Sequence, residues 1–473
     1  MRPYRVFNMK MARQTSSLVA VLSAVLGSVL ASQVTAQTFT ALHAFTGDSD
    51  GAWPYGRLVL SGNTLYGTTY AQRSTNAMWV QGAVFAVETD GTGFTSLHVL
   101  NGSDGLGPRS GLVLSGNTLY GTACMGGGDG FGTAFAIHTD ATGFAPLHSF
   151  VGEELDPHAG LTLAGNTLFG TASDGGALSS GSVFRLNTDG TGFTNLHNFA
   201  DVDGSGPQAA LVLSEHTLYG TTGYGGLRPG NGTVFRLNTD GTGFTNLHSF
   251  AGYPNDGANP FGGLVLLGNT LYGTTDSGGS SGDGTVFAVN TDGTGFAILH
   301  NFAGHDGALP SADLILVGNT LYGTTSRGGS SGRGTVFALK TDGTGFTNLY
   351  NFTALSGPYP GTNSDGTEPS AGLILAGSTL YGVALYGGTF GNGTVFSISF
   401  VPKLEITPAG ANVCLRWPTN QVGFDYTGYR LQCTTNLISP VWTTNFPEPW
   451  IVDGQYTITN PISELQQFFR LSN

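Results

Sequence analysis

Charge is scarce in this chain of 473 residues: only 10% are charged, and the 17 Lys and Arg are outnumbered by 30 Asp and Glu. A chain so poor in basic residues is a poor partner for nucleic acid, whose phosphates demand a basic surface. Cysteine is almost lacking. Three residues, Cys124, Cys414 and Cys433, cannot staple a fold of this size. Cys414 and Cys433 are near enough in sequence to pair, whereas Cys124 stands alone in a loop. After residue 36 no run is apolar enough to cross a bilayer. Several catalytic signatures are missing as well: there is no G-x-S-x-G, no H-E-x-x-H, no P-loop and no paired-cysteine metal pattern. The residues therefore assign no catalytic group, no metal and no cofactor, and nucleic acid is not expected among the partners.

What is abundant is glycine, 76 residues, together with 11% aromatics. No Gly-X-Y period is present, which excludes collagen, and the aromatics argue against disorder. The combination describes an all-β protein rich in tight turns, where glycine supplies positive φ. The N-terminus reads differently. Arg2, Arg5, Lys10 and Arg13 precede the apolar run LVAVLSAVLGSVLA (18–31) and the small-residue site V-T-A. That order is a secretory signal peptide over 1–36, cut after Ala36. Its removal leaves the exported chain still more acidic.

The strongest feature is repetition. G-N-T-L-Y-G or a close variant begins at residues 62, 116, 165, 215, 268, 318 and 377, with spacings of 49 to 59 residues. Each unit holds four short β-like runs, a to d, clearest in DLILVG, NTLYGTT, GTVFALK and FTNLYNF (313–352). Runs a and b meet at a Gly-Asn turn, and runs c and d at T-D-G-T-G. Four-stranded sheets of this size bury their faces by packing around an axis, which is a β-propeller. Solenoids of parallel strands or of helices fit neither the unit length nor the period-two pattern. Runs a, b and c occur seven times, but the seventh d run is missing from the end. A d-like segment, FTALHAF (39–45), stands alone at the start. The expected fold is thus all-β: a seven-bladed β-propeller (37–402) closed by the N-terminal strand. A small immunoglobulin- or fibronectin-like β-sandwich (403–473) follows.

These units resemble the GloVer-type tandem repeat of the choice-of-anchor family of exported bacterial proteins, over residues 39–400. The resemblance implies export to a secreted or surface location and a variable C-terminal attachment device. It implies no activity and brings no catalytic residues.

Two repeated features tempt a chemical reading. His43, His98, His148, His197, His248 and His300, with Tyr350 in the seventh place, sit on the outermost strand, too far apart to share a metal. They read as packed histidines bonded to a neighbouring blade or loop backbone. The D-S-D-G, D-V-D-G and N-S-D-G loops lack the remaining ligands of a calcium loop, and T-D-G-T-G has its own reason as a turn. The b–c and d–a loops share one face and vary between units, which is where a rigid scaffold carries binding. Their departures from the repeat are Trp53, Tyr55, Tyr70, Arg73, Trp79, Arg109, Tyr224, Arg228, Arg327, Tyr359 and Tyr386. Aromatics with arginine suit stacking on a sugar or gripping a peptide. The expected function is non-enzymatic binding of an extracellular glycan or surface protein. A polysaccharide lyase or hydrolase and a purely structural surface protein are the alternatives; ionisable groups close together at the axial mouth would favour the enzyme.

Overall fold

The computed structural model describes residues 37–472 apart from 72–80, 153, 228–229, 359–360, 403, 411, 422–423, 427, 436–440, 445 and 462–466. The signal-peptide segment 1–36 lies outside the described residues. Among those described there is no helix, and hence none long and apolar enough to cross a membrane. The chain divides into two compact units, Phe39–Ile398 and a second that holds Ser399–Asn473.

In the first unit each repeat folds as an antiparallel sheet in the order a-b-c-d. In the sixth repeat these strands are Ile315–Val317, Thr320–Thr325, Thr335–Lys340 and Thr347–Asn351. Thr320 to Thr325 pair without a break with Lys340 back to Thr335. The a–b turn has positive φ at Gly318 and not at Asn319, the pattern of a type II′ hairpin. Glu215 takes this position in the fourth repeat and holds φ 53° without being glycine. In T-D-G-T-G the aspartate closes the turn itself: Asp342 accepts the Thr344 amide at 2.9 Å and the Thr344 hydroxyl at 2.6 Å. Strand b is buried throughout, and strand c is buried up to its exposed last residue, Lys340. The glycine in the middle of strand b has a packing reason. A Cβ on Gly323 would fall 2.6 Å from the Phe337 ring and 2.7 Å from Leu314, so the motif must read L-Y-G to admit the c-strand phenylalanine.

The N-terminal segment takes the place of a d strand. Gln37–Ala44 pairs with Thr394–Phe400, which is followed in the sheet by Thr379–Ala384 and Ile374–Ala376. The first repeat carries one more strand, Ala52–Pro54, paired with the extended b strand Thr64–Ala71.

Successive sheets are joined by apolar clusters. Tyr66 and Val84 of the first repeat pack with Leu119 and Phe135 of the second, and the same join recurs along the chain. One cluster links the last repeat to the first: Ile374, Tyr381 and Val395 pack with Phe45, Leu65 and Phe85. The repeated d-strand residue completes each join. Its ring stacks on the phenylalanine ahead of the next d strand: His43 on Phe94, His98 on Phe144, His148 on Phe193, His197 on Phe244, His248 on Phe296, His300 on Phe346 and Tyr350 on Phe39. Centroids lie 3.6–4.1 Å apart and planes within 4–14°.

The second unit holds a four-stranded sheet. Its order is Glu405–Ala409, Asn412–Pro418, Gln455–Pro461 and Trp450–Val452, with Arg430–Thr434 paired separately to Phe468–Ser472. Its core gathers Leu415, Trp417, Leu431 and Ile458. Cys414 and Cys433 are both free thiols, so the pairing suggested by their spacing is not made. They stand on strands of different sheets, and Cys433 meets Thr443 instead.

Candidate functional site

The d–a loop supplies the site, and its aspartate is the anchor. His43 Nε2 lies 3.1 Å from Asp50 Oδ2, and the pair recurs as His98–Asp104, His197–Asp203, His248–Asp256 and His300–Asp306 at 2.9–3.1 Å. On the d strand of the sixth repeat the Tyr350 hydroxyl donates to Asp365 at 2.8 Å. The partner is therefore a carboxylate of the Asp-Gly loop and not a backbone group. Sequence reasoning missed this because it weighed the histidines and the Asp-Gly loops separately. The carboxylate also accepts backbone N–H groups, from Thr46 to Asp50 at 2.9 Å and from Ala303 to Asp306 at 2.9 Å. Burial pushes the Asp50 carboxyl up, but the bonds from His43 and Thr46 outweigh it and hold its pKa below the ordinary value. Burial depresses His197 and His300, against the attraction of Asp203 and Asp306.

Three residues past this aspartate, or past the glutamate that replaces it at position 153, comes a position held left-handed: Trp53, Gly107, Asp156, Gly206, Asn259, Leu309 and Glu368, with φ between 55° and 63°. A proline follows in each case. The backbone bend presents the next residue to a cavity of about 930 Å³ lined from all seven repeats. Tyr55, Arg109, His158, Gln208, Phe261 and Ser311 all arrive there in this way, with Ser370 completing the set. The same cavity is also lined by Arg57 and by Asp313, whose Oδ1 accepts the Gly263 amide at 2.6 Å.

Five of the expected site residues are brought together. The Trp53 ring lies 6.2 Å from Tyr70, near parallel, and 6.2 Å from Tyr386, edge-on. The Arg109 guanidinium sits 4.4 Å above the Tyr70 ring and 5.7 Å from that of Tyr55. Arg109 Nε is buried with no hydrogen-bond partner among the described residues, and Tyr55 is 37% exposed. A guanidinium held on aromatic faces offers a fixed cation and N–H donors to an oxygen-rich ligand. Tyr224 packs edge-on against Phe261, across from this cluster in the repeat order. Arg327 is exposed and partners Asp276 electrostatically; burial raises the Asp276 carboxyl and Arg327 tempers the rise. Arg73, Trp79, Arg228 and Tyr359 lie outside the described residues.

Sequence reasoning passed over Arg57, Cys124, Asp156, His158, Phe261, Asp276 and Asp313. The signal was the proline: aligning the residue after it across seven repeats would have drawn out His158 and Phe261 along with Tyr55 and Arg109.

With this geometry in hand the comparisons can be placed. The family model of the Gloeobacter/Verrucomicrobia repeat matches residues 23–156, 152–316 and 228–402, and the chain belongs to that family. No curated protein matches it by sequence. Among solved structures it is similar to an oligogalacturonate lyase in complex with manganese, at 10% identity and a TM-score of 0.50, covering 78% of this chain and 94% of that one. It is also similar to PorZ, a bacterial surface component of the type-IX secretion system of Porphyromonas gingivalis. That match has 12% identity and a TM-score of 0.50, over 91% of this chain and 60% of PorZ. At such identities the likeness is one of fold: an all-β, propeller-like repeat protein.

Proposed function

We propose that this chain is an exported seven-bladed β-propeller, closed by its own N-terminal strand and followed by a small β-sandwich, and that it binds an extracellular glycan at the axial cavity. The observation that carries the reading is the Arg109 guanidinium laid over Tyr70 and beside Tyr55, where Tyr55 and Arg109 both line the large cavity. Sugars present one apolar face and a rim of hydroxyls, and this pairing of aromatic planes with a fixed donor answers both. The family relationship and the surface location stated for PorZ support export, and the seven joined sheets support the closed ring. Tyr224, Arg327 and Tyr386 extend the proposed surface.

The test is a glycan-array screen of the mature protein beside Tyr55→Ala and Arg109→Ala. A specific glycan is expected to bind, with affinity falling at least tenfold in each variant. A surface protein as ligand would leave the array blank and show instead in a pull-down that Tyr55→Ala abolishes.

One observation favours a second reading, a polysaccharide lyase or hydrolase. Asp276, its carboxyl raised by burial, and Asp313 line the same cavity, and sugar cleavage uses one carboxylic acid of raised pKa with a second carboxylate across the scissile bond. Release of new chain ends from a polysaccharide, lost in Asp276→Asn, would establish it.

A further inference from the structure

At and behind one residue of the cavity wall, His158, three chemically distinct side chains come together. Cys124 follows the b strand Thr118–Ala123, where other repeats place Tyr, Ser, Gly, Asp or Leu. Asp156 and His158 flank Pro157 in the next d–a loop, and His158 lines the cavity. The Cys124 sulfur, an Asp156 carboxylate oxygen and a His158 ring nitrogen all lie within 4.8 Å of one another. We infer that Cys124, Asp156 and His158 form a three-ligand site for a divalent transition metal, zinc above all, with its fourth position left to water or ligand in the cavity.

The donor set argues for the metal. One thiolate, one imidazole and one carboxylate match the borderline softness of Zn²⁺, whereas Ca²⁺ and Mg²⁺ want oxygens alone. Three protein ligands plus an open position is the arrangement of reactive rather than purely structural zinc. Tetrahedral ligands about 2.0–2.3 Å from zinc stand roughly 3.3–3.8 Å from one another, so the wider spacings, which reach at most 4.8 Å, have to tighten while the His158–Asp156 pair opens by about half an ångström. His158 Nε2 and Asp156 Oδ2 are already 2.8 Å apart, and they would exchange that hydrogen bond for a shared ion.

Charge agrees as well. Burial pushes the Cys124 thiol up to about 12, and it donates to the Gly107 carbonyl at 3.0 Å. Zinc displaces that proton, and thiolate, carboxylate and Zn²⁺ then sum to zero. The neighbouring Arg109 guanidinium meets a neutral site and is not repelled. A nucleophilic role for Cys124 fits worse, since the residue is 4% exposed and its thiol is raised, the reverse of an activated cysteine.

The proposal goes beyond glycan binding and is tested without any glycan. The mature chain carrying Cys414→Ser and Cys433→Ser, stripped of metal, is titrated with Co²⁺ and then Zn²⁺, following the thiolate-to-cobalt absorption band and proton release. One metal per chain is expected, with release of one proton and displacement of cobalt by zinc. Cys124→Ser should abolish the band and weaken zinc binding about a hundredfold; Asp156→Asn, whose side chain tolerates the left-handed backbone, should weaken it about tenfold or more. His158→Ala serves where Cys124→Ser fails to melt like its parent in metal-free buffer. No cobalt band in the parent, or zinc affinity unchanged from the parent's in Cys124→Ser and His158→Ala, overturns the site.

Discussion

The ring of Phe39 stacks on that of Tyr350, centroids 4.1 Å apart and planes 13° from parallel. The same relation joins His300 to Phe346 one repeat earlier and His43 to Phe94 one repeat later. A residue near the start of the chain thus fills a position that six internal repeats fill from within. Asn392 adds to the closure, its amide donating to the Thr46 carbonyl at 2.7 Å.

Removing that strand should therefore cost far more than trimming a terminus. Phe45 is 0% exposed and belongs to the cluster linking last repeat to first, so Phe45→Ala alone is expected to lose ~3–5 kcal/mol. Deletion of residues 37–46 should lose more and broaden the thermal transition in calorimetry. A deletion variant melting like the parent would overturn the closed ring.

The two kinds of aspartate should part company under mutation. Asp365 is 1% exposed and accepts from Tyr350 and Thr353. Asp365→Ala orphans both donors and should cost about 2–4 kcal/mol by urea unfolding. Asp189 caps an exposed T-D-G-T-G turn through Thr191, and Asp189→Ala should give a much smaller shift in the same assay.

Acid should loosen the joins in two stages. The folded values of His197 and His300 lie below 6.5, so the unfolded chain binds protons first as pH falls. Their stabilisation is full above 6.5 and is lost as pH drops through the depressed folded values. Asp50 follows the same sign lower down: full above 3.8, lost below as the pH passes its own lowered value. Melting temperature measured against pH should show the first fall, and the double variant His197→Gln/His300→Gln, which still offers an amide donor but does not titrate, should flatten it.

Glu215 holds φ 53° in an exposed a–b turn where the other repeats place glycine. Glu215→Gly should stabilise by ~0.5–1 kcal/mol, the relief of left-handed strain exceeding the added freedom of the unfolded chain. A lower melting temperature would show that the turn is set by something other than backbone strain.

Much of this was legible in the residues because each repeat is a local statement. Gly-Asn and T-D-G-T-G name their hairpins, and counting a, b, c and d runs exposes the borrowed strand. The joins were not legible: His98 and Asp104 meet across a loop, and His98 and Phe144 across two sheets, so each partner looks like an ordinary loop or strand residue when read along the chain. The site was half legible. Bulky aromatics and arginines announced themselves, and Trp53, Tyr55, Tyr70 and Arg109 do gather. Cys124, Asp156 and His158 did not, since each is unremarkable until the chain returns 32 residues on from Cys124 to bring Asp156 beside it.

The borrowed strand also sets an order of events. Gln37–Ala44 is synthesised before any other strand of the repeat unit, yet its partner Thr394–Phe400 is synthesised after all of them. Contacts such as Thr46 with Asn392 bridge 346 positions, and pairings that distant are slow to form. Six sheets can assemble as they emerge, each from its own hairpins, while the first strand waits with an unsatisfied edge. The last act of folding is then a single long-range capture, and whatever shields that waiting edge meanwhile governs the yield of intact protein.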